Sequence, residues 1–146
     1  MKRGTSLNNS MRISTKGRYA LRMMLDLAQQ DQSVYSPLKD ICERQHVSMK
    51  YLEQITSMLN KQNFLKSARG PKGGYKLSRK PAEYSIGEII WATEGQLYPV
   101  DCLFNQDCCN KKLTECISQK FWKGFKQNID DYLSRVTLQD VLDGNV

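Results

Sequence analysis

Long apolar runs are missing from this chain. None approaches the roughly 18 residues a membrane span needs, which argues against a spanning helix. Residues 1–10 are polar, without the hydrophobic stretch of a secretory signal, so a cytoplasmic location is expected. Internal repeats are also missing. So is the equipment of an enzyme: no nucleophile–base pair, no phosphate-cradling loop and no carboxylate pair in a plausible cleft is evident. Histidine occurs once, at His46.

The 146 residues are enough for one compact domain with an appended element, and 40% of them are hydrophobic, enough for a modest core. Charge is unevenly spread. The first 81 residues carry 16 Lys and Arg against 5 Asp and Glu, and the remainder carry 6 against 10. A basic front with an acidic back suggests a polyanionic partner for the front. Of five cysteines, Cys42 stands alone, while Cys102, Cys108, Cys109 and Cys116 fall together. In a reducing compartment such a group points to metal or redox chemistry rather than to disulfides.

Residues 1–10 read as a disordered leader, with ordered patterning from Met11 onward. Ser14 or Thr15 caps a helix to about residue 30, whose buried face carries Tyr19, Ala20, Met23, Met24, Leu27 and Ala28. Ser36 followed by Pro37 reads as a cap with proline in the first helical position. It opens a short helix over residues 37–45 that buries Leu38, Ile41 and Cys42. A turn follows in which His46 supplies a left-handed residue. Ser48 then caps a third helix to residue 61, burying Leu52, Ile55 and Leu59. Two short helices across a tight turn form a helix-turn-helix.

Residues 64–69 and 75–79 alternate like half-buried strands around Gly70-Pro-Lys-Gly-Gly74, which predicts a β-hairpin wing. Ser85 and Glu88 match a capping box opening a helix to about residue 93. A polar, cysteine-bearing loop spans residues 94–115. The last long helix, over residues 114–135, repeats Ile117, Phe121, Phe125, Ile129, Tyr132 and Val136 every three or four residues. A winged domain leaves little core for such a face to cover, so pairing with a second copy is expected. The fold class is therefore mainly α: a winged helix-turn-helix with a two-stranded wing and a long C-terminal dimerisation helix. The divisions expected are a leader (1–10), a DNA-binding domain (11–93), a cysteine loop (94–115) and a dimerisation helix with tail (114–142).

A helix fits the DNA major groove, where base edges are distinguishable. Ser48, Lys50, Tyr51, Glu53 and Gln54 are the candidates to reach them. Arg12, Lys16 and Arg18 stand ready to neutralise phosphates. On the wing, Arg69 and Lys72 flank backbone thinned by Gly70, Gly73 and Gly74, which suits close approach to a narrow minor groove. The cysteines read Cys102-(five residues)-Cys108-Cys109-(six residues)-Cys116. Thiolates suit iron–sulfur clusters and zinc. A zinc knuckle usually contains a closely spaced cysteine pair with two to four intervening residues, and these wider gaps suit a loop around a larger inorganic core. Zinc and a redox-silent loop remain open on spacing alone.

Three stretches resemble the IscR-type family of winged-helix regulators, which includes NsrR, RirA and CymR: Met11-Arg-Ile-Ser-Thr-Lys-Gly-Arg-Tyr-Ala-Leu-Arg22, Tyr51-Leu-Glu-Gln-Ile55 and Arg69-Gly-Pro-Lys-Gly-Gly-Tyr75. The likeness covers residues 11–142. It implies a homodimer on partly palindromic double-stranded DNA. The third helix, with Tyr51, Glu53 and Gln54, would enter the major groove, and the wing, with Arg69, Gly70, Pro71, Gly73 and Gly74, the minor groove. It also implies an iron–sulfur cluster, 2Fe–2S or 4Fe–4S, on Cys102, Cys108 and Cys116. Two departures stand out. Gln119 occupies the position of IscR's histidine ligand, and the second cysteine gap is two residues longer than in IscR. Cys109, or an oxygen ligand, is a candidate for the fourth position. An NsrR-type aspartate is absent near the first helix, where Arg18 stands.

The resemblance thus implies cluster-controlled regulation of iron–sulfur assembly, of cysteine or sulfur metabolism, or of a redox or nitric oxide response. The alternatives are a metal-free thiol switch using Cys108 and Cys109, and a CymR-like adaptor that binds a partner protein through its aromatic helix. Strongly salt-dependent DNA binding separates regulator from adaptor.

Overall fold

The computed structural model describes residues 11–105 and 116–146. Three helices come first: α1 (Thr15–Ala28), α2 (Leu38–Gln45) and α3 (Met49–Lys61). Strands β1 (Leu65–Ala68) and β2 (Gly74–Leu77) pair antiparallel, with Leu65 opposite Leu77 and Ala68 opposite Gly74. Then come α4 (Ile86–Glu94), α5 (Gln119–Arg135) and α6 (Leu138–Asp143).

Local chemistry sets most boundaries. Ser14 caps α1, accepting from Gly17 N at 3.5 Å. The helix stops two residues short of expectation. Its end tightens into i−3 bonds, and Gln30 and Gln32 turn their side-chain amides onto the Asp26 and Leu27 carbonyls. Those amides satisfy groups the ended helix leaves open. Ser48 caps α3, and Ser85 with Glu88 closes a reciprocal capping box on α4. His46 ends α2 in the left-handed conformation, φ 54°, ψ 47°, as its place in the turn requires.

Ser36 behaves differently from expectation. It caps nothing; Pro37 is the N-cap of α2. Ser36 exchanges two 2.8 Å backbone hydrogen bonds with Tyr75 instead. Its N–H and C=O extend the wing by a one-residue third strand and tie it to the start of α2.

The core lies where α1, α3 and α4 meet the base of the wing. Met23, Met24, Leu27, Ile41, Ile55, Leu59, Tyr84, Ile89 and Leu138 are wholly buried. Each such side chain is worth about 1.5–3 kcal/mol relative to exposure. Tyr84 is its polar hub. The hydroxyl donates to the Phe64 carbonyl at 2.6 Å and accepts from the N–H groups of Ser78 and Arg79, both at 3.0 Å. The base of both strands is thereby fastened to the approach to α4. Asp26, buried on α1, accepts from Arg44 Nη2 at 2.7 Å and from Gln45 Nε2 at 2.9 Å. Those bonds fix α2 against α1 beside the His46 turn.

The C-terminal part departs most from the periodic reading. α5 begins at Gln119, so Ile117, expected inside the helix, precedes it and is 96% exposed. No residue of α5 is buried. After it the chain returns. Val136 and Leu138 enter the core, Ile86 N donates to Val136 O at 2.8 Å, and Thr137 caps α6.

Candidate nucleic-acid interface

α3 presents its outer face between two grooves of about 490 Å³ each. One is lined by Lys16, Lys50, Glu53, Gln54, Ser57 and Met58. The other lies toward the wing, between Glu53, Thr56, Ser57, Asn60, Lys61 and Tyr75. Ser48, Lys50, Glu53 and Gln54 are exposed at the start of the helix. Tyr51 is half-buried instead, packed edge-on against Tyr19 with centroids 5.8 Å apart. Ser57, Asn60, Lys61 and Tyr75 join this face without having been singled out as contacts. The signal was available, since Lys50, Glu53, Ser57 and Asn60 continue one helical row.

The predicted phosphate contacts on α1 divide. Lys16 shares the groove with Lys50, while Arg18 lines a separate cleft of about 240 Å³ with Tyr19, Leu21, Arg22 and Leu25. Arg12 is exposed just before the helix. At the wing tip Arg69, Gly70, Pro71 and Lys72 are exposed. Gly73 N donates to Gly70 O at 2.9 Å, making a tight turn with Pro71 in its favoured second position. The glycines have different reasons. Gly70 has φ +95° and open space around it, whereas a Cβ on Gly73 would lie 2.3 Å from Ala68 O and one on Gly74 2.1 Å from Ser36 O. Gly73 and Gly74 therefore serve the hairpin's own packing.

Glu94 has a position that sequence patterning did not reveal. α1 has no acidic residue in its first turn. The Glu94 carboxylate, from the end of α4, fills that place. Oε1 accepts from Ser14 N at 3.0 Å, from Gly17 N at 3.1 Å and from the Ser14 hydroxyl. A carboxylate on a helix N-terminus satisfies open N–H groups and meets the positive end of the dipole. The next residue, Gly95, leads into the cysteine segment.

Cys102 sits half-buried in a short turn, Asp101–Leu103, that packs on α5. Its neighbours are clamped as well. Lys126 of α5 pairs with Asp130, lies 5.0 Å from the Tyr98 ring and reaches Gln96 Oε1 at 3.5 Å. Cys116, also half-buried, stands 3.2 Å from the Ser118 hydroxyl just before α5. Cys108 and Cys109 lie outside the described residues. The two described thiols of this group therefore both lie beside α5, Cys102 in a turn that packs on it and Cys116 three residues before it, and the donors are chemically suited to a soft metal centre. Gln119 opens α5. The remaining thiol, Cys42, is 4.0 Å from Met49 Sδ, and burial pushes it up from its ordinary range.

α5 carries an outward aromatic cluster. Phe121, Trp122 and Phe125 have centroids 4.9–6.2 Å apart. Phe121 is 63%, Phe125 39% and Tyr132 45% exposed.

A helix-turn-helix, a bridged wing and an exposed third helix flanked by grooves that carry Lys16, Lys50 and Lys61 define a winged-helix protein of the transcription-regulator class. The chain belongs to the Rrf2 family, described as iron-dependent transcriptional regulators, whose pattern matches residues 13–144. It is 38% identical over 135 residues to the transcriptional regulator IscR of Vibrio vulnificus, spanning 92% of this chain and 79% of that one. Among solved structures it is similar to CymR, the global cysteine regulator of B. subtilis, at TM-score 0.75 and 32% identity over 89% of this chain and 95% of that one. It is also similar to T. potens IscR, at TM-score 0.69 and 34% identity over 92% and 88%. These relatives are regulators, not enzymes. No helix among the described residues is long and apolar enough to cross a membrane.

Proposed function

We propose that this chain is a cytoplasmic homodimeric regulator whose affinity for a partly palindromic operator is set by an iron–sulfur centre on Cys102, Cys108 and Cys116, with Cys109 a candidate fourth ligand. The observation that carries the reading is the short path from cysteine to DNA face. Glu94 caps the start of α1 and, through Gly95, adjoins the segment that bears Cys102.

In this mechanism Lys50, Glu53 and Gln54 meet base edges, and Arg12, Lys16, Arg69 and Lys72 meet phosphates. A bound centre supplies an iron- and redox-sensitive restraint on residues 102–116. Lys126 holds the approach to that segment, at Gln96 and Tyr98, to α5, and Glu94, just before them in the chain, passes any shift of that approach to α1. A useful switch needs only about 1–3 kcal/mol of differential affinity. α5's aromatic face pairs with that of a second copy. Charge favours an antiparallel pairing, because the first half of α5 carries Lys120, Lys123 and Lys126 with no acidic residue, whereas the second carries Asp130 and Asp131 against Arg135.

The test is anaerobic purification with iron and acid-labile sulfide counted per dimer, followed by duplex binding with and without the centre. Matched iron and sulfide, and a DNA response that Cys108→Ala abolishes in a folded dimer, are the expected results. A colourless, iron-free protein from iron-replete cells overturns the cluster reading. In that case the second reading is a metal-free thiol switch at Cys108 and Cys109, with DNA binding retained.

A further inference from the structure

The wing carries a charge arrangement that its own stability does not explain. β1 and β2 set Lys66 directly opposite Lys76. The adjoining pair, Leu65 and Leu77, points into the core, so strand alternation turns both lysines to the opposite face. Directly opposed residues hold their Cβ atoms about 4.5–5.5 Å apart, and like charges there are destabilising.

Among the described residues neither lysine is in an ion pair. The Asp31 carboxylate, which accepts from Ser33 N at 2.8 Å, acts on Lys76 only from beyond ion-pair distance. Lys76 is held by uncharged groups instead: its Nζ donates to Gln32 O at 3.2 Å and lies 4.6 Å from the Tyr35 ring centroid. The neighbouring Ser36–Tyr75 bridge anchors that arrangement to α2. One cation is thus fixed in place, while Lys66 is exposed beside it.

The position suits an external anion. The same outward face continues to the Ala68–Gly74 pair and then to the tip. At about 3.3 Å per residue, Lys66 stands about 10 Å behind Arg69. We propose that Lys66 and Lys76 form a second cationic contact on the wing, taking duplex phosphates that border the groove the tip enters. This rests on the DNA-binding reading above. Repulsion retained in the free hairpin is relieved when a polyanion is bound. The contact is blind to sequence, since phosphates carry no base information.

The experiment uses the full chain and a mixed-sequence duplex, comparing wild type, Lys66→Gln/Lys76→Gln and Lys66→Arg/Lys76→Arg. Affinity is measured against salt, and the thermal midpoint without DNA. Each wing would lose two phosphate contacts and the proposed homodimer four, so the slope of log affinity against log salt should fall by about 3.6. Between about 50 and 200 mM salt, wild-type binding would then weaken about 150-fold more than the glutamine variant's. The arginine variant should keep the wild-type slope, and the glutamine variant's free midpoint should be no lower than wild type. Unchanged affinity and slope overturn the proposal. Weaker binding with an unchanged slope and a lower midpoint also overturns it, because the lysines would then only support the hairpin. A wild-type chain that binds no duplex overturns the regulator reading itself.

Discussion

At position 74 a single methyl group would meet the Ser36 carbonyl at 2.1 Å, and the backbone there has φ +145°. Gly74→Ala is therefore strained twice, by conformation and by collision with backbone that cannot swing aside. It should cost more than about 1 kcal/mol in denaturant unfolding and lower duplex affinity by freeing the wing from α2. Gly70 offers the contrast, since open space around it makes its φ the only obstacle. Tyr84→Phe tests the polar hub. The ring would still fill its site, but Arg79 N–H would lose its partner, and Ser78 N–H and the Phe64 carbonyl would keep only their 3.2 Å bond to each other. Unmet buried groups cost about 1–3 kcal/mol, so the unfolding midpoint should fall with no change in secondary structure by circular dichroism. Neither role was legible beforehand. Ser36 and Tyr75, or Tyr84 and Phe64, are far apart along the chain, and periodicity carries no information about such partners. His46 was legible, because a left-handed residue in a tight turn is a local demand.

Helices announced themselves by cap and stripe, which is why α1, α3 and α4 fall close to their expected limits. α6 did not, since six residues are too few to show a period. Its signal was a cap. Thr137 accepts from Asp140 N at 3.1 Å, and Asp140 Oδ2 accepts from Thr137 N at 2.8 Å. The hydrogen bonds from the Thr137 side chain and backbone hold the Asp140 carboxyl below its usual range, with Arg135 contributing least. A depressed carboxylate stabilises the fold at pH above the ordinary carboxylate range, and that contribution is lost as pH falls through the lowered value. Asp140→Asn should therefore flatten the acid limb of a stability-against-pH curve without altering the neutral-to-alkaline limb. An unchanged acid limb would remove this cap from the account. At the other end of the domain, Glu94→Ala should cost about 0.5–2 kcal/mol by uncapping α1. If Glu94 relays the cysteine segment's state, the same change should also shrink the difference in DNA affinity between cluster-loaded and cluster-free protein. Uncapping without that second effect would leave Glu94 a structural residue.

At the scale of the molecule the charge asymmetry and the uncovered helix belong together. The basic residues gather on the winged domain, and α5 extends from it with none of its seventeen residues buried. Its first turn has no acidic residue, although lysines near a helix N-terminus oppose the dipole. In the proposed antiparallel pair each such end would lie beside the partner's Asp131, which would offset the cost. Two wings on such a dimer would also make a palindrome readable, because engaging one half-site raises the effective concentration of the second domain at the other. Phe121→Asp/Phe125→Asp places charge on the aromatic face without touching the core, so the monomer should stay folded by circular dichroism. Light scattering should report a mass halved from wild type. Affinity for a two-half-site duplex should drop by about 10²–10⁴-fold, while binding to a single half-site should change little. A variant that still scatters as a dimer would move the interface off this face. A wild-type chain that is monomeric and binds both duplexes equally would remove dimerisation from the mechanism.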